Sequence, residues 1–166
     1  MQSILATISC QVRKNNGDPR HRSLNVEGSP AGAPCIRIVS VLAGAEDRYL
    51  LDHVSARNQW DVFFADACDE ACRLSDRLKP PIILFDRDVA GADWRHAVSS
   101  LASVSGSACI LLISRVADDY LWNEVVANGG YDVLPKPLRE DEVLRAVRLA
   151  WSYWNCVRRA RAIARK

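Results

Sequence analysis

Three polar residues end or follow apolar runs, at points where a chain leaving a buried strand would expose them. Asp86 follows IILF (82–85), Ser114 closes CILLIS (109–114), and Lys136 lies between two prolines in VLPKP (133–137). Lysine supplies a compact positive charge, serine a rotatable donor, and aspartate either a reactive carboxylate or the anion of an ion pair. Taken singly, each is an ordinary strand-end or loop residue. Their chemistry depends on whether the elements between them bring three strand ends to one edge.

The pattern predicts that they do. From Cys35 onward, short β-branched or apolar runs alternate with segments of helical spacing. Strands are predicted over 36–41 (IRIVSV), 60–65 (WDVFFA), 81–85 (PIILF), 109–114 and 131–134. Helices are predicted over 46–56, 67–78 with Asp66 as N-cap, 93–101 and 118–128, the last of these closed by Gly129-Gly130. SVSGSA (103–108) reads as a loop. A final helix opens with Glu140, Asp141 and Glu142, where acids favour the helix dipole, and meets no breaker before the C-terminus. All-apolar strands alternating with helices imply an α/β fold, a doubly wound parallel sheet of five strands with helices on both faces. Such folds carry their site outside the C-terminal ends of the strands, which is where Asp86 falls.

Strand order, loop lengths and motifs together resemble the receiver domain of bacterial two-component response regulators, over roughly residues 36–150. The resemblance implies a flavodoxin-like sheet of order 2-1-3-4-5 with an extended C-terminal helix. It also implies that "ILFDRDVAG" places Asp86 at the phosphoacceptor position. "LLIS" places Ser114 at the hydroxyl that positions the phosphoryl group, and "VLPKP" places Lys136 at the lysine that pairs with it. Positive charge and a positioned hydroxyl are what phosphoryl transfer to a carboxylate requires. The resemblance also implies Mg²⁺, held in receivers by the acceptor and an acidic pair after the first strand. Laid without gaps along "RIVSVLAGAEDRYLL", that pair falls on Leu42 and Ala43, neither of which offers a hard cation an oxygen ligand from its side chain. Glu46 and Asp47 follow, but fall at the start of the next helix, about 6 Å further on at 1.5 Å per residue. Asp86 is then the one candidate ligand left, and no cofactor is expected. The aromatic switch position falls on Val133, and the proline after the acceptor is Ala90. The expected role for Asp86 is therefore the partner of Lys136, with weak or absent phosphorylation.

Charge distribution adds a second theme. Residues 155–166 hold Arg158, Arg159, Arg161, Arg165 and Lys166 and no acid, giving +5, and residues 1–34 hold four basic and two acidic side chains. The net charge of +2 therefore leaves −5 on residues 35–154. The division expected is a disordered leader or mis-assigned start over 1–34, a receiver-like domain over 35–150, and a basic extension of the last helix over 151–166. Trp151 and Trp154, beside Arg158, Arg161 and Arg165, are candidate contact residues. The alternative is a helix that packs both indoles on the core and solvates its arginines.

The resemblance implies a single-domain signalling protein of a two-component phosphorelay, acting on a partner by protein contact. The alternatives are a phosphorylation-independent interaction or dimerisation module and, as the weakest reading, nucleic-acid binding through the basic helix. A histidine kinase or another protein of such a system is the expected partner, and a homodimer is possible. The loop LAGAED is neither a P-loop nor a dinucleotide fingerprint, and His21, His53 and His96 are isolated, so no enzyme is expected. The six cysteines lack zinc-finger spacing, and no apolar run approaches a membrane span, which points to the cytoplasm.

Overall fold

In the computed structural model, which describes residues 35–164, five parallel strands run in the order β2-β1-β3-β4-β5. They are β1 (Arg37–Val41), β2 (Asp61–Ala65), β3 (Ile82–Asp86), β4 (Cys109–Ser114) and β5 (Asp132–Pro135). The helices are α1 (Ala45–Asn58), α2 (Cys68–Leu78), α3 (Trp94–Ser105), α4 (Asp119–Ala127) and α5 (Glu140–Ala164). The leader, Arg165 and Lys166 lie outside the described residues.

Strand periodicity divides the core in two. Ile38, Ile82, Leu84, Leu111 and Ile113 pack on the α1/α5 face. Val39, Val41, Ile83, Phe85, Ile110 and Leu112 pack on the face covered by α2, α3 and α4. Every residue of β3 and β4 is buried, as unbroken apolar strands between two helical layers require.

Three local expectations need correction. Asp66 does not cap α2. Ala67 holds that position, the Asp66 backbone N–H donates to Glu70 Oε2, and the Asp66 carboxylate pairs with Arg48 at 3.3 Å. The predicted loop at 103–108 begins later, because α3 runs to Ser105. Its serines turn their hydroxyls back onto the helix, Ser103 to the Ser99 carbonyl at 2.9 Å and Ser105 to that of Leu101 at 2.6 Å, rather than ending it. Asp86 is the last residue of β3 and not the first after it.

The predicted stop at Gly129 holds. Its φ of +90 is one that L side chains rarely adopt, and a Cβ there would come within 2.9 Å of Ala102 Cβ. Asp93 and Asp118 cap α3 and α4 through their carboxylates.

Candidate functional site

The C-terminal ends of β1, β3, β4 and β5 bring the predicted residues to one edge. Asp86 ends β3 and is fully buried, and Ser114 ends β4. Lys136 follows β5, its backbone N–H donating to the Ser114 carbonyl at 2.9 Å, and its side chain is 10% exposed. The loop carrying the lysine is therefore tied to the strand carrying the serine.

Both carboxylate oxygens of Asp86 are engaged. Oδ2 accepts from Lys136 Nζ at 2.6 Å and from the Ala43 backbone N–H at 3.0 Å, while Oδ1 accepts from the Asp88 backbone N–H at 3.0 Å. A buried carboxylate is tolerable only when so compensated. Burial works against the Lys136 charge, but the hydrogen bond and charge of Asp86, with the charge of Asp47, outweigh it and raise the lysine above its ordinary pKa.

Leu42 and Ala43, onto which the gapless alignment laid the acidic pair, follow β1. Leu42 packs against the α1-side core, and Ala43 offers Asp86 a backbone N–H. The expectation that Asp47 lies beyond reach is overturned. Its carboxylate is 3.4 Å from Lys136 Nζ and only 16% exposed. The distance counted along the helix overlooked direction, because helix side chains lean toward the N-terminus, and a first-turn residue leans back over the sheet edge. Asp88 adds a third carboxylate, 3.6 Å from the same ammonium and 3.3 Å from Arg115 Nε. Sequence reasoning had left Asp86 alone here.

Ser114 Oγ accepts from the Val116 backbone N–H at 3.2 Å and from the Arg87 guanidinium at 3.4 Å. Arg87 was not singled out from the sequence, although its place directly after Asp86 was a usable signal. Val133 is half-buried against the α2–α4 side, and Ala90 is exposed.

An open cleft of about 740 Å³ leads in, lined by Ala43, Gly44, Asp47, Asp88, Arg115 and Lys136 among others. Its carboxylates turn to the Lys136 ammonium, which lies 2.6–3.6 Å from one oxygen each of Asp86, Asp47 and Asp88. Among the described residues, no group of three His, Cys, Asp or Glu side chains could hold a metal ion.

At the far end of the molecule, Trp151 and Trp154 stack with ring centroids 5.3 Å apart and pack half-buried against the core. Arg158 lies over the Trp154 ring at 5.3 Å, and Arg161 is exposed. This is the alternative the sequence had left open.

No protein-family model matches the sequence. The chemotaxis protein CheY of Listeria monocytogenes is 26% identical over 81 residues, covering 49% of this chain and 68% of the relative. Among solved structures, the receiver domain of a modulated diguanylate cyclase from Desulfovibrio desulfuricans matches with a TM-score of 0.65 at 22% identity, covering 74% of this chain and 98% of that one. The receiver domain of a protein from Vibrio parahaemolyticus, described as a LuxO repressor, matches with a TM-score of 0.69 at 16% identity, covering 76% and 98%. The fold is that of a response-regulator receiver domain, the CheY-like form of the flavodoxin-like sheet. Among the described residues, no helix is long and apolar enough to cross a membrane.

Proposed function

We propose that this chain is a receiver-type signalling module of a two-component system that acts by protein contact, with Asp86 serving mainly as the structural counter-ion of Lys136. The observation that carries this reading is the engagement of Asp86, whose two oxygens already accept three hydrogen bonds from Lys136, Ala43 and Asp88. An acceptor must present a lone pair to phosphorus, of which Oδ1 keeps one, and the transferring oxygens must meet positive charge. Here Lys136 is committed to a carboxylate, and two more acids stand close by.

On this reading Leu42 and Ala43 remove the metal ligands, phosphorylation is weak or absent, and the module is not an enzyme. It works in the cytoplasm beside a histidine kinase or another protein of the same system. Incubation with acetyl phosphate and Mg²⁺, followed by intact-mass measurement, tests it. The expected outcome is no phosphorylated species. A phosphorylated form that disappears in Asp86→Asn would overturn the reading. The paired substitutions Leu42→Asp and Ala43→Asp are expected to tighten Mg²⁺ binding by tenfold or more, followed by tryptophan fluorescence.

A further inference from the structure

Away from the Asp86 cleft, α2 carries two free cysteines one helical turn apart. Cys68 opens the helix, Cys72 follows four residues later, and both are half-buried. Residues at this spacing share one side of a helix, with Cβ atoms about 5–6 Å from each other. The two thiols also share a hydrogen bond. Both line an open cavity of about 260 Å³ between α2, α3 and the loop that follows Asp88.

The surroundings keep these thiols neutral. Asp69 and Asp93 line the cavity, no Lys or Arg is among its lining residues, and His96 holds a ring nitrogen 3.5 Å from Ser100 Oγ. Burial first, then the neighbouring Cys72 thiol and the Asp69 charge, push the Cys68 thiol up to about 11. Thiolate is the form that attacks peroxide and that ligates metal cations. The pair is therefore a poor redox centre and a poor cation site. Zinc would also need further protein ligands, and among the described residues no group of three His, Cys, Asp or Glu side chains could hold a metal ion. Two neutral thiols in contact suit an uncharged electrophile that bonds to both sulfurs and needs no third ligand.

We propose that Cys68 and Cys72 form a dithiol site for a trivalent arsenical, arsenite or an organic arsenoxide, which closes a ring across the first turn of α2. Each As–S bond that forms replaces an As–O bond, and the thiol proton leaves with that oxygen as water. Arsenite gives up two waters and an arsenoxide one. Arsenic stays trivalent and neither sulfur is oxidised, so no oxidant is consumed. Reactants and product are uncharged, so the acids beside the site do not oppose the step as they oppose a thiolate. Binding here does not depend on what Asp86 does, and either proposal can fail alone.

The test uses the full chain with Cys10, Cys35 and Cys156 changed to serine, which leaves Cys109, buried, as the remaining other thiol. Phenylarsine oxide is the probe. Intact mass is expected to show one phenylarsenic group per chain with one water lost. Cys68→Ser and Cys72→Ser should each weaken binding about a hundredfold or more, because the second, intramolecular bond is gone, while His96→Ala leaves it unchanged. Displacement of the probe by arsenite assigns the site to the inorganic form, and retention assigns it to the organic one. Because the arsenical binds the native helix, it should raise the thermal unfolding midpoint. An adduct indifferent to both serine substitutions, one stripped as readily by a monothiol as by a dithiol, or a midpoint that falls would each overturn the proposal.

Discussion

Two regions of this molecule handle exposure in opposite ways. At the sheet edge, Asp86 is fully buried, charged and bonded through both oxygens. Along α5, Leu149, Tyr153 and Ile163 are 52–76% exposed, the Tyr153 ring meeting only that of Tyr131 at 5.1 Å. A buried charge must find its partners inside the fold, so the first region is built to stay as it is. Exposed apolar side chains carry no such demand, so the second can change without unsettling the fold. The group placed for chemistry is thus the one tied into the structure, and the open apolar side chains are spread along the last helix.

The contrast is broken most forcefully at Lys136. Replacing it with methionine removes the ammonium and leaves the Asp86 carboxylate buried, with Asp47 and Asp88 close by. The loss in urea unfolding should be about 3–5 kcal/mol. An effect below that of an ordinary surface substitution would place the two charges in separate roles.

Alkaline pH should reproduce part of that loss without a mutation. Lys136 has a raised pKa in the folded state, so its contribution is complete below the ordinary lysine value of 10.5 and is lost as pH rises through the higher folded value. The stability difference between the wild-type chain and Lys136→Met should therefore be flat from neutral pH to about 10 and shrink above it. A difference that already narrows between pH 6 and 9 would assign the effect to other groups.

The smallest effect belongs to the other region. Ile163→Asp, at an exposed position of α5, should change unfolding by no more than about 0.5 kcal/mol. A large loss of stability would mean that this end of α5 is part of the core.

Much of this was legible in the sequence because it depends on period and punctuation. The unbroken apolar runs at 82–85 and 109–113 could only be strands covered on both faces, and Gly129 marked the end of α4. The pairing of Asp86 with Lys136 followed from the resemblance to receiver domains, with both residues expected at strand ends on one edge. What linear spacing could not show was direction. Asp47 was set aside by its distance along α1, yet its side chain leans back to Lys136. Trp151 and Trp154 stood out by residue type, but rotation about α5 turns them toward the core and leaves Leu149, Tyr153 and Ile163 outside. The hydrogen bond from the Ala43 backbone to Asp86 was invisible because any residue type supplies an N–H.

The most direct test of the structural role of Asp86 is chemical unfolding of Asp86→Asn. The asparagine keeps the shape but must turn its NH₂ toward either the Asp88 N–H or the donors Lys136 and Ala43, leaving at least one buried donor facing another. The account predicts a loss of about 1–3 kcal/mol with the fold unchanged by circular dichroism. An Asp86→Asn chain as stable as the wild type, or more stable, would contradict it, since that is the behaviour of an acceptor relieved of repulsion from its acidic neighbours.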